Sequence, residues 1–241
     1  MAIAFVAAIG TSILSTPTNT VASPSVSGSD TIGIVMVQGA ANDVNNVTAV
    51  VWGLAAMTKI GQFRHSGERM QSLWYVVAPA AGSSTITFTA TFDILAVAAV
   101  CYSGASQTGQ PDSFATFDAT TTTSVNATTT VVASDCWLVA GNSFSSGSIT
   151  DIASSPGGPR GTPSDNGTYY DSDGTVSTGS QSLALSWTNN SSAWGVVASI
   201  APATAPAGPT NLKSLDTNVK ANIKSYNTNV LANIKSINTN A

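Results

Sequence analysis

Charge is what this sequence has least of. Asp, Glu, Lys and Arg together make up 8% of the 241 residues, against roughly 25% in ordinary soluble domains. That shortage excludes a dense basic face, and with it the electrostatic footprint of a nucleic-acid binder. Histidine is scarcer still: His65 is the only one, and Glu68 is the only glutamate. Chemistry that needs a positioned base with an orienting group, or a pair of glutamates, has little to draw on. Cysteine occurs twice, at Cys101 and Cys136, with no metal-type spacing, so a zinc site is not expected. No apolar run approaches the roughly 20 residues of a membrane-spanning helix. The glycines are scattered through turn-like segments, and none forms a phosphate-cradling loop. Together these shortages predict a non-enzymatic protein without cofactor or metal, with no nucleic-acid partner and no membrane span.

The few chemical residues have bland readings too. His65 lies in the turn-like, charged stretch 63–69 and reads as an exposed loop histidine. Asp171-Ser172-Asp173-Gly174 could open a calcium loop, but the rest of the twelve-residue pattern is missing, so a turn is the better reading. Asn46, Asn126, Asn166, Asn189 and Asn190 match the glycosylation triplet, as chance allows in a chain this rich in Asn, Ser and Thr. The cysteines read either as two small buried hydrophobes or as one cross-strand disulfide, and their positions do not decide between these.

What the chain does hold is Ser, Thr, Asn and Gly, the residues of exposed strand faces and turns. Apolar runs occur between turn clusters at residues 31–38, 46–52, 70–78, 84–92, 94–102, 131–144, 183–187 and 193–201. In 84–92 the alternation is strict: Ile86, Phe88, Ala90 and Phe92 face one way, and Thr85, Thr87, Thr89 and Thr91 the other, as in a half-buried strand. Residues 94–102 are continuously apolar, which predicts a central strand buried on both faces. The N-terminal run 1–10 resembles a signal peptide but lacks its positive n-region, so it reads as a first strand rather than an export signal. Many short strands at this spacing predict an all-β, antiparallel two-sheet sandwich or jelly roll.

Three regions follow. Residues 1–200 form the sandwich body, 201–210 a Pro/Ala linker that is extended and stiff, and 211–241 a repeat tail. Within the body, the Gly-, Ser-, Asp- and Pro-rich stretch 145–182 reads as a long surface excursion or as an ordinary connection with an edge hairpin. The tail repeats an eleven-residue unit: NLKSLDTNVKA, NIKSYNTNVLA and the shortened NIKSINTNA. Its apolar stripe is Leu212, Leu215, Val219, Ile223, Tyr226, Val230, Ile234 and Ile237. The 3-4-4 stepping fits a right-handed coiled coil. The abundance of Asn, Ser and Thr favours strands and turns instead, and β is the preferred reading. Either way, a unit of this size cannot bury its own stripe and has to pack against copies of itself or a partner. The body holds four cations against eleven acids, and the tail four lysines against Asp216.

The segments at 47–53 (VTAVVWG), 57–61 (MTKIG), 73–79 (LWYVVAP) with Ala81-Gly82, 98–104 (AAVCYSG) and 197–202 (VASIAP) carry a resemblance in their order and spacing. The body resembles β-sandwich modules of bacteriophage virion structural proteins and bacterial surface proteins, and the NIKS repeats resemble tails that end phage virion proteins. The resemblance implies structure and attachment, and it supplies no catalytic residue. The expectation is a non-enzymatic virion structural protein: a capsid decoration, head-fibre or tail-associated subunit. It would sit in the virion, displaying its sandwich and assembling through the tail stripe with copies of itself (a trimer by guess) and other virion proteins. The alternative is a carbohydrate-binding or adhesive module at a cell surface, meeting a host glycan. Its candidate contacts are Trp52, Trp74, Trp137, Trp187, Trp194, Tyr169 and Tyr170; most of the tryptophans sit in strands and read as core, which favours Tyr169 and Tyr170 in the excursion.

Overall fold

The computed structural model describes residues 1–14, 18–40, 47–65, 69–91, 94–145, 153–164 and 167–204. The chain divides at Thr204/Ala205 into two units. The second, with the whole repeat tail and all eight residues of its stripe, lies outside the described residues.

The first unit is all-β. Its strands are β1 (Ala4–Leu14), β2 (Thr18–Ala22), β3 (Ile32–Ala40), β4 (Val47–Trp52), β5 (Ala55–Ala56), β6 (Thr58–Arg64), β7 (Arg69–Val77) and β8 (Thr85–Ala90). They continue with β9 (Ile94–Ser103), β10 (Ser113–Val131), β11 (Trp137–Phe144), β12 (Ala153–Ser155), β13 (Gly158–Ser164), β14 (Gly167–Asp171) and β15 (Gly179–Ile200). All pairings are antiparallel. Among the described residues there is no helix, and none therefore long and apolar enough to cross a membrane. The expected antiparallel sandwich is present, with one refinement. Hydrogen bonding sorts the strands into a five-stranded sheet (β1-β9-β3-β7-β6), a four-stranded sheet (β2-β8-β4-β5) and a six-stranded sheet (β10-β15-β11-β14-β13, with β12 on β15). The first two use only residues before Gly104 and the third only residues after Asp112.

The five-stranded sheet is shared by two interfaces, and this explains its apolar strands. Toward the four-stranded sheet it presents Val35, Val37, Trp74, Val97 and Ala99, which meet Val50, Trp52, Ile86 and Phe88. Toward the six-stranded sheet it presents Ile32, Ile34, Met36, Leu73 and Val100, which meet Val139, Val196, Ala198 and Ile200. With both faces covered, β9 has no polar side to show, as its unbroken apolar run predicts. β8 buries Ile86, Phe88 and Ala90 and leaves its threonines outward. At Gly33 a Cβ would stand 2.7 Å from the Trp52 ring, so Trp52 packs flat on bare backbone.

The outer face of the six-stranded sheet is covered by the same sheet folded over. β10 and β15 pair along nearly their full length, but the register breaks between Ala119 and Ser124. There Thr121 takes a positive φ of 47°, and the ribbon doubles back. Its far half brings Ala127, Leu183, Leu185 and Trp187 onto Leu138, Ala140, Phe144 and Tyr170. The fold-back is pinned by the Ser113 and Thr129 hydroxyls, 3.1 Å apart, and by Asp112, which accepts from the Val132 and Ala133 amides at 2.8 and 3.0 Å.

Candidate functional site

The register runs all strands of the two larger sheets between two ends of the sandwich. At one end the chain leaves the body: Pro202 bridges Ala105, and the Ala203 amide donates to Gly104 at 2.8 Å. At the other end lie the end of β6, the start of β7 and the β10–β15 fold. Each end has a polar cluster between the five- and six-stranded sheets.

At the exit end the cluster is built on Asp171, the last residue of β14, whose side chain is fully buried. The Tyr102 hydroxyl, at the end of β9, donates to Asp171 Oδ2 at 2.8 Å and lies 3.1 Å from the Tyr169 hydroxyl. Arg160 reaches in from β13, with Nε 2.9 and 3.1 Å from the two carboxylate oxygens, while its Nη2 pairs with Asp173. The Arg160 guanidinium lies 4.6 Å from the centre of the Phe5 ring on β1, and Tyr102 meets Phe5 and Trp137 edge-on. Burial, reinforced by Tyr169 and Asp171, raises the Tyr102 pKa well above its ordinary value; burial does the same for Tyr169. Both phenols therefore stay protonated and hold their hydrogen bonds. The Asp173 amide also donates to Asp171 Oδ1 at 3.0 Å, and Ser172 Oγ donates to the Gly174 carbonyl at 2.6 Å. The segment 171–174 is thus a side-chain-capped turn, as preferred from sequence. Both of its carboxylates are engaged by Arg160, which leaves them poorly placed for a calcium ion. Among the described residues no group of three or more metal-ligating side chains comes together.

One expectation is corrected here. Tyr169 and Tyr170 are fully buried and are not surface contacts. β14 lies in the interior of its sheet with both faces covered, so two consecutive side chains point into two different cores: Tyr169 toward the five-stranded sheet and Tyr170 under the folded ribbon, beside Asn142 and Thr168. Of the two readings of the stretch 145–182, the connection with an edge hairpin is the one present. It contributes β12, β13 and β14, the last two as an edge hairpin. β13 tolerates Pro159 because it is the sheet's edge strand.

At the far end, His65 is not an exposed loop residue. Its ring stacks on Trp194 at 4.7 Å between centroids and 15° between planes. Its Nδ1 lies 2.9 Å from Asp118 Oδ1, with the His65 side chain 17% exposed and Asp118 39%. The sheet register explains the trio: Asp118 on β10 pairs directly with Trp194 on β15, and His65, just past β6, drops onto both. Deeper in, Gln71 pairs with Gln38 across β7 and β3, and Ser143 pairs with Trp194 and Gly167 across the other sheet. Gly141 and Gly167 give the glutamine amides room; a Cβ there would stand 2.3 and 2.6 Å from them. Both amide atoms of Gln71 are buried without a hydrogen-bond partner.

The cysteines are free and buried, Cys101 in the core against the four-stranded sheet and Cys136 under the ribbon. Burial pushes the Cys101 thiol up to about 11; burial, with Asp112 adding to it, pushes Cys136 up to about 12. Neither is a thiolate at neutral pH, so neither is a ready nucleophile. All five tryptophans are buried, as their strand positions suggested.

The chain matches no protein-family model, and no curated protein matches it.

Proposed function

We propose that this chain is a non-catalytic virion structural subunit: a displayed β-sandwich joined to its assembly by the C-terminal repeats. The observation that carries the reading is the tail itself, two eleven-residue units and a shortened third behind a Pro/Ala linker, with an apolar stripe that requires a partner. The body fits a display role in how its polar groups are used. The Asp171 cluster is directed at neighbouring strands and holds sheets together.

The test is deletion of residues 211–241. The expected product is a folded, monomeric sandwich that no longer joins the particle, read by sedimentation velocity and by particle co-purification. Unchanged incorporation would overturn the anchoring role.

A further inference from the structure

The edges of the two larger sheets do not coincide, and the overhang exposes a strip of β10. Phe114, Thr116 and Asp118 alternate along β10 and pair with Ala198, Val196 and Trp194 on β15. Those three partners are buried against the five-stranded sheet, but their neighbours on β10 are exposed, because β10 lies beyond the β6 edge of that sheet. A face that is interior in β15 and β11 therefore becomes surface here.

The two ends of the strip are held in place. The Phe114 side chain is 53% exposed. One side of its ring rests on Gly61 of β6, where a Cβ would stand 3.3 Å from Cδ2 and Cε2. Asp118 is oriented by His65 at 2.9 Å, and His65 is in turn fixed on Trp194. Thr116 sits between them with an exposed side chain. The row from Phe114 to Asp118 spans about 13 Å at the usual strand rise.

We propose that this strip is a binding site for a neutral oligosaccharide. A fixed, half-exposed aromatic ring offers an apolar face for a sugar ring. The Thr116 hydroxyl and the free lone pairs of Asp118 accept hydrogen bonds from sugar hydroxyls. The strip carries no cation and one carboxylate, Asp118, already hydrogen-bonded to His65, so it disfavours an anionic ligand and suits an uncharged, hydroxyl-rich one. Its length suits a short oligosaccharide. This gives the displayed module something to hold, and it stands independently of the tail's role.

The experiment uses the full chain. A panel of neutral gluco-, manno-, galacto- and N-acetylglucosamine oligomers is screened on an array, and hits are measured by calorimetry. The wild-type protein is expected to bind at least one of them. Phe114→Ala should weaken that binding about tenfold or more with an unchanged melting temperature, whereas Phe114→Tyr should retain it. A blank panel for the wild type, or a hit indifferent to Phe114→Ala, overturns the proposal. So does a self-association that Phe114→Ala dissolves, which would make the strip a contact between copies. Particle incorporation is scored separately. Phe114→Ala should incorporate normally, so failure of the glycan site and failure of the assembly role give different results.

Discussion

The two faces of the five-stranded sheet are built from the same strands but packed by different rules. Toward the four-stranded sheet the interface is almost wholly apolar; its polar contacts include the Trp74 indole donating to Ser72 Oγ at 2.9 Å and, across the sheets, Lys59 Nζ donating to the Val47 carbonyl at 3.0 Å. Toward the six-stranded sheet the centre is equally apolar, but the two ends are polar: Asp171 with Arg160 and two tyrosines at one, Gln38, Gln71 and Ser143 at the other. Non-directional packing holds the first interface together. In the second, directional bonds at one end fix how the sheets are aligned, and at the other end polar groups are buried at a cost. The difference separates residues that supply stability from residues that supply register.

Three substitutions test that division. The largest effect belongs to the dry face: Trp52→Ala should lower unfolding free energy by about 3–5 kcal/mol, measured by urea denaturation. A loss under about 1 kcal/mol would mean that this interface is not the dominant core. Next is Asp171→Ala, which strands Arg160 and the Tyr102 hydroxyl. It should cost about 3 kcal/mol, at the low end for a broken buried pair because Arg160 can turn toward solvent. If the cluster sets register, this variant should also broaden amide resonances along β13 and β14, and Trp52→Ala should not. The smallest is Gln71→Met, which replaces a buried amide lacking partners with an apolar side chain of similar size. It should be neutral or stabilising by up to about 1 kcal/mol. A substantial loss would show that the glutamine seam contributes more than burial.

The strands with one clean signal were legible in the sequence. The alternation of β8 and the unbroken apolar run of β9 reflect one-sided and two-sided burial, which local pattern encodes directly. β10 was not legible as a strand. Its nineteen residues are dominated by Thr, Ser and Ala, and only some positions on its inner face are buried, so its periodicity is faint. The β13–β14 hairpin was legible only as one of two readings, because proline and glycine mark loops in general but are tolerated on an edge strand such as β13. The Tyr169-Tyr170 pair misled for a related reason: adjacent aromatics suggest exposure of one, unless both faces of the strand are covered. The surroundings of His65 could not be read at all. Its partners Asp118 and Trp194 are brought to it by sheet register over long sequence separations, and neither is marked by any motif. The same holds for the Phe114 strip, whose exposure depends on where one sheet ends relative to another.

The separation of the sheets along the chain has a consequence for synthesis. The five- and four-stranded sheets can be completed once residue 103 is available, with their shared core of Val35, Trp52, Phe88 and Val97. The six-stranded sheet cannot, because β15 is the strand that joins β10, β11 and β12, and it ends at Ile200. Until β15 arrives, the second face of the N-terminal sheet, with Ile34, Met36, Leu73 and Val100, lacks its full cover. A nascent chain therefore passes through a stage with one finished core and one open apolar face. Such a stage is prone to aggregation, and its closure, which depends on pairings distant in sequence, is expected to be the slow step.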